Sequence, residues 1–187
     1  MLELKDASLT IDGHRLFDKL SLMACDGQLT LISGPEGSGK TALIRVMLGL
    51  LPLDSGLVNV DGELLTPLSA SAFRRLMVYL PQRVLAIHHS PLSPETSGLQ
   101  PVWHLSPLTT HLSPHTSNPL PPTSASLPPL TPEKRILLLD DPDPVLLPRL
   151  KALSADGMTV VVASQREEYL NQSDKQIFLG NDEHHIS

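Results

Sequence analysis

Gly34-Pro35-Glu36-Gly37-Ser38-Gly39-Lys40-Thr41 is the stretch on which the fold turns, because its glycine spacing and its closing Lys-Thr pair describe a phosphate-binding loop. Both flanks agree with that reading. Gln28-Leu29-Thr30-Leu31-Ile32-Ser33 is an apolar, β-branched run suited to a buried strand, and Ala42-Leu43-Ile44-Arg45-Val46-Met47-Leu48 reads as a helix stopped at Gly49. Glycines at 34, 37 and 39 admit backbone angles that a side chain would forbid, so that successive N–H groups can turn inward around the β-phosphate as a concave anion nest. From there Lys40 reaches β- and γ-phosphate oxygens. Thr41 opens the helix, where its hydroxyl can ligate Mg²⁺ while the helix N-terminus adds partial positive charge. The bland alternative is a glycine-rich turn that only joins strand to helix.

Working outward, residues 1–82 carry the pattern of a folded unit. Leu2, Leu4 and residues 7–11 predict a first strand, Asp12-Gly13 a tight turn, and residues 16–23 a second strand that leads through Asp26-Gly27 to the strand before the loop. Beyond the helix, Asp54-Ser55-Gly56 is a turn, residues 57–60 a strand and Asp61-Gly62 a hairpin turn. Residues 71–76 predict a short helix, and Met77-Val78-Tyr79-Leu80 a strand ending at Pro81-Gln82. Order resumes at residue 133. Ile136-Leu137-Leu138-Leu139 followed by Asp140-Asp141 has the form of a buried parallel strand ending in carboxylates. Residues 145–153 predict a helix broken near Pro148, residues 158–163 a further buried strand, 167–170 a short helix, and 175–180 a closing strand. The alternation is that of an α/β fold with a parallel core.

Between these halves the character changes. Residues 83–132 hold eleven of the eighteen prolines and only two charged residues, Arg83 and Glu95. No window there is long enough for a stable isolated helix, so the composition predicts a Pro/Ser/His-rich, extended, low-complexity segment interrupting the core. The domain reading is therefore one core built from 1–82 and 133–187 with a flexible 83–132 between them. Trp103, the sole tryptophan, either docks on the core or a partner or is a loosely held aromatic.

Composition narrows the function classes. At 187 residues and 41% hydrophobic the chain can bury one substantial core. A net charge of −6 without any basic cluster argues against nucleic acid as a partner. Cys25 stands alone, which excludes an internal disulfide and suits a reducing compartment. No run approaches a membrane span and the first residues lack the order of a signal peptide, so the expectation is a cytoplasmic chain without direct membrane insertion, peripheral at the inner face of a membrane only through a partner.

With the loop at 34–41, the Asp-Gly turns, Tyr79-Leu80-Pro81-Gln82 and Leu137-Leu138-Leu139-Asp140-Asp141-Pro142 all in order, the chain resembles the ATP-binding subunit of ATP-binding cassette (ABC) transporters over residues 1–82 and 133–180. The resemblance implies a P-loop NTPase core with a mostly parallel sheet and an N-terminal antiparallel β subdomain. It implies ATP and Mg²⁺ as cofactors, and a membrane permease and a second nucleotide-binding subunit as partners. ATP phosphates would lie on residues 34–41 with Ala42 at the following position, and Ile11 would face the base. Gln82 would sense Mg²⁺ and the attacking water, Asp140 would join Thr41 and Gln82 in the Mg²⁺ site, and Asp141 and Gln165 would fill the catalytic positions.

Departures from the family's pattern fall on turnover. Ile11 replaces the aromatic that stacks on adenine, and Ala42 replaces a second hydroxyl after the lysine. Asp141 is one methylene shorter than the family's glutamate, and Gln165 stands for a histidine, so it can hydrogen-bond a γ-phosphate but cannot titrate near neutral pH. The Leu-Ser-Gly-Gly-Gln signature and its helical subdomain are missing, as is the Ser-Ala-Leu-Asp loop, where Asp143-Pro144-Val145 follows Pro142. Capture of the phosphates needs the nest and Lys40, whereas hydrolysis needs groups placed for the water and the transition state. The expectation is an ATP-binding protein with weak or partner-dependent hydrolysis. Two other readings stay open: a nucleotide-responsive regulatory or assembly module without turnover, and a decayed cassette.

Other signals carry less. His111 and His115 have the spacing of a helical metal pair, but Pro114 removes the helix and no carboxylate or cysteine completes a set. Residues 119–132 favour polyproline II, as a ligand for a partner or as a tether.

Overall fold

The computed structural model describes residues 1–82, 127–128 and 130–180. Four strands form an antiparallel sheet: β1 (Leu2–Ile11), β2 (His14–Ala24), β4 (Ser55–Val60) and the short β5 (Glu63–Leu64), in the order β2-β1-β4-β5. Five others form a parallel sheet, in the order β6-β7-β8-β3-β9: β3 (Leu29–Ser33), β6 (Met77–Leu80), β7 (Ile136–Asp140), β8 (Thr159–Ala163) and β9 (Lys175–Phe178). The helices are α1 (Lys40–Met47), α2 (Ala70–Leu76), α3 (Leu147–Ala155) and α4 (Glu167–Gln172), with a 3-10 turn at Pro144–Leu146. Among the described residues this is the α/β P-loop fold with the antiparallel subdomain expected from sequence.

Strands β3, β7 and β8 are buried along their whole length and read as near-continuous apolar runs, because both faces of the sheet are covered there. Successive side chains alternate between two separate cores. On one side Ile136 and Leu138 of β7 and Val161 and Ala163 of β8 join α1 and the inner face of the antiparallel sheet, represented by Leu2, Leu4, Leu20 and Val58. On the other, Leu137, Leu139, Val160 and Val162 meet Leu147 and Leu150 of α3 and Tyr169 of α4. Helix α1 lies among buried residues on most of its circumference, with Ala42, Leu43, Ile44, Val46 and Met47 all inside. The loop in front of it therefore has a fixed base.

Three particulars differ from the sequence expectation. Pro148 does not break a helix: the 3-10 turn runs into α3 at Leu147, and Pro148 occupies the first turn, where its missing N–H is no loss. Ser55 and Gly56 belong to β4 rather than to the turn before it. Leu127 is 9% exposed and joins the core beneath α3, with Leu130 packed against the same cluster, so apolar packing begins before residue 133. The rest of the predicted low-complexity stretch up to residue 126 lies outside the described residues, as do Trp103, His111, His115 and the start of the polyproline run. Among the described residues no helix is long and apolar enough to cross a membrane.

Candidate nucleotide site

The loop at 34–39 leaves β3 and enters α1. Two of its glycines are enforced by close approach. Gly34 has φ +147°, and a Cβ there would stand 2.2 Å from the carbonyl oxygen of Leu179, the residue that follows β9. Gly39 has φ +92°, and a Cβ would stand 3.0 Å from the Cβ of Leu16 on β2. Gly39 is also the N-cap of α1 and gives no side-chain cap, so the first N–H groups of the helix stay open to an anion. Lys40 folds back over the loop: its Nζ donates to the carbonyl oxygens of Gly34 at 2.8 Å and Pro35 at 2.7 Å, and it lies 3.5 Å from Ser38 Oγ. Burial lowers the lysine's pKa, against the opposing pull of Asp140, Asp141 and Glu36.

A cavity of about 550 Å³ opens over this loop. Its wall holds Glu36, Gly37, Gly39, Lys40, Thr41 and Ala42 from the loop and helix, and Gln82, Asp140, Asp141 and Gln165 from the ends of the parallel strands. The C-terminal edge of a parallel sheet is where such folds bind ligands. Asp140 ends β7 and is only 4% exposed; its Oδ2 accepts a 2.7 Å hydrogen bond from Thr41 Oγ1. Burial raises the Asp140 pKa; the Thr41 hydroxyl counteracts this, Asp141 adds to it, and Arg45 and Lys40 counteract it further. Thr41 and Asp140 thus place two hard oxygens side by side in the cavity that Gln82 also lines. That donor set fits Mg²⁺, which takes one or two protein oxygens and completes its octahedron with water and phosphate. Among the described residues no cluster of three or more His, Cys, Asp or Glu forms another metal site.

Asp141 is held differently. Its backbone takes φ +45°, and its N–H donates to the Ala163 carbonyl at 2.7 Å, which locks the end of β7 to the end of β8. Its Oδ1 accepts from Ser164 Oγ at 2.9 Å and from Arg166 Nε at 3.2 Å. The following loop is fixed by Tyr169, whose hydroxyl donates to the Asp143 carbonyl at 3.0 Å, and by Asp143 itself, which caps the 3-10 turn through Val145 N–H.

The structure therefore gathers most of the residues read from sequence around one cavity. Gly34 and Pro35 face a neighbouring cavity that shares Gln165. Ile11 is apart: it sits at the hairpin end of β1, paired with His14 and 36% exposed, and the apolar wall beside the loop is Leu16 instead. Leu16, Arg45, Ser164 and Arg166 line the cavity without having been singled out.

Comparison with known proteins agrees with this geometry. A family model described as ABC transporter matches residues 17–112, just over half of the chain. The chain belongs to the ABC transporter family. It is 37% identical over 76 residues to the uncharacterized ABC transporter ATP-binding protein YhcH of Bacillus subtilis (strain 168), a match covering 41% of this chain and 25% of YhcH. It is 37% identical over 71 residues to MlaF of Escherichia coli (strain K12), the ATP-binding protein of an intermembrane phospholipid transport system, covering 38% and 26%. These matches span only about a quarter of the relatives' length. Among solved structures, the ATP-binding subunit of an ABC transporter superposes with a TM-score of 0.64 at 15% identity, covering 97% of this chain and 86% of the other. A bacterial ABC transporter cassette solved as a dimer gives 0.62 at 17%, covering 96% and 94%. At these identities the structural likeness speaks for the ABC cassette fold.

Proposed function

We propose that the chain is an ABC subunit that binds MgATP and hydrolyses it weakly or only with a partner. The observation that carries this is the convergence at one cavity of the loop with its lysine, the Thr41–Asp140 pair at 2.7 Å and Gln82. Residues 34–41 would cradle the phosphates, Lys40 exchanging its carbonyl partners for phosphate oxygens. Thr41, Asp140 and Gln82 would hold Mg²⁺, which neutralises phosphate charge. Gln165 would address the γ-phosphate. The base reading for Asp141 is weakened by its own contacts: one oxygen already serves a hydroxyl and a guanidinium, which favours capture over turnover.

A permease and a second nucleotide-binding subunit are the partners proposed, with the chain at the cytoplasmic face of a membrane through them. The Asp141 contacts also keep alive a second reading, a regulatory module that responds to bound nucleotide without turnover. Calorimetric titration tests the shared core of both: the folded protein binds ATP with Mg²⁺, and Lys40→Ala weakens binding tenfold or more, about 1.4 kcal/mol. Absence of ATP binding by the folded wild type would overturn the reading.

A further inference from the structure

We propose that Arg166 is a ligand of the terminal phosphate and that Asp141 is the positioning residue that aims it, an inference that rests on the MgATP reading above. Arg166 lines the same cavity as Lys40, Gln82 and Asp140. Its Nε is spent on Asp141 Oδ1 at 3.2 Å, while its own backbone N–H donates to Ser164 Oγ at 3.3 Å, and Ser164 Oγ donates in turn to that same Asp141 oxygen at 2.9 Å. Three residues thus close a ring. The ring is anchored by the Asp141 N–H bond to Ala163, so the guanidinium hangs from the rigid ends of two paired strands.

With Nε taken, both terminal Nη groups are without a hydrogen-bond partner among the described residues. They form the edge of the guanidinium that presents two parallel N–H donors, the geometry that matches two oxygens of one phosphate. Lys40 and the loop would serve the inner phosphates, and Arg166 lines the same cavity with Gln165 from the segment that follows β8. A cation that meets the terminal phosphate would distinguish a triphosphate from a diphosphate, because only the triphosphate carries that group. Asp141 in this arrangement spends its Oδ1 on Ser164 and Arg166 and fixes the direction of an arginine supplied by the same chain.

The test is calorimetric titration of the full chain with ATP and with ADP, each with Mg²⁺, for wild type, Arg166→Ala, Arg166→Lys and Asp141→Ala, with thermal unfolding to confirm that each is folded. The expected result for Arg166→Ala is a loss of ATP affinity of tenfold or more, with ADP affinity changed less than twofold. Arg166→Lys, which keeps the charge but not the fork, falls between. Asp141→Ala lowers ATP affinity in the same selective way. An equal fall for ATP and ADP, which a merely structural role would give, overturns the proposal, and so does an unchanged ATP affinity. Wild type that binds neither nucleotide would overturn the MgATP reading and this proposal together, whereas wild type that binds both and variants that lose no selectivity would overturn this proposal alone.

Discussion

Asp140 shows what a buried carboxyl costs the fold. Its carboxyl is nearly buried, and that burial raises its pKa above the unfolded value, so the folded chain holds the proton more tightly than the unfolded one. The stabilising contribution of such a group is fully present below the unfolded pKa and is lost as pH rises through the folded pKa. At neutral pH, with metal chelated, Asp140 is therefore a liability. Asp140→Asn keeps an acceptor for Thr41 and removes the charge, so its melting temperature should exceed that of wild type at pH 7, with the advantage shrinking as pH falls into the carboxylate range. The same variant should lose the Mg²⁺ dependence of ATP binding. Thermal unfolding across pH with EDTA, paired with titration of ATP with and without Mg²⁺, checks both halves.

At the scale of elements, the loop and the strands whose ends line the cavity were legible in the chain, since buried parallel strands announce themselves as apolar runs and the loop by its glycines. Substituting Gly34 tests whether the loop is as constrained as its surroundings imply. Gly34→Ala would drive a Cβ into the Leu179 carbonyl at a φ that side chains avoid, and should cost about 2–3 kcal/mol in urea unfolding. Leu150→Ala on α3, fully buried beneath the parallel sheet, should cost about 2–5 kcal/mol by the same measurement. The Asp141–Ser164–Arg166 ring was not legible, because no spacing within either segment reveals it. It depends on the register of β7 with β8, in which Asp140 pairs with Ala163 and the residues beyond each strand become neighbours. The resemblance assigns the base contact to Ile11, at the hairpin end of β1, whereas Leu16 on β2 is the apolar side chain that approaches Gly39 and lines the cavity, a packing that no spacing in the sequence reveals. Pro148 misled for a similar reason: a proline says that a helix is not continuous before it, and here it marks a helix beginning.

For the whole molecule the decisive question is whether capture of nucleotide leads to turnover. Most of the groups proposed for capture line one cavity of this chain, from Gly37, Gly39 and Lys40 to Gln82 and Asp140. The groups for turnover are incomplete. The signature that closes the site from a second subunit is absent from the sequence, Gln165 cannot take up a proton near neutral pH, and Asp141 has one oxygen engaged by Ser164 and Arg166. If each missing group costs on the order of a hundredfold, as removal of a positioned catalytic donor or base does, the isolated chain should saturate with ATP while releasing phosphate at a rate close to background. Steady-state phosphate release at saturating ATP checks this. Addition of a nucleotide-binding subunit that carries its own signature should raise the rate in this chain's site, and Lys40→Ala in this chain should remove the increment. Rapid release by the isolated wild type, abolished by Asp141→Asn, would contradict the deficiency and return Asp141 to the role of base.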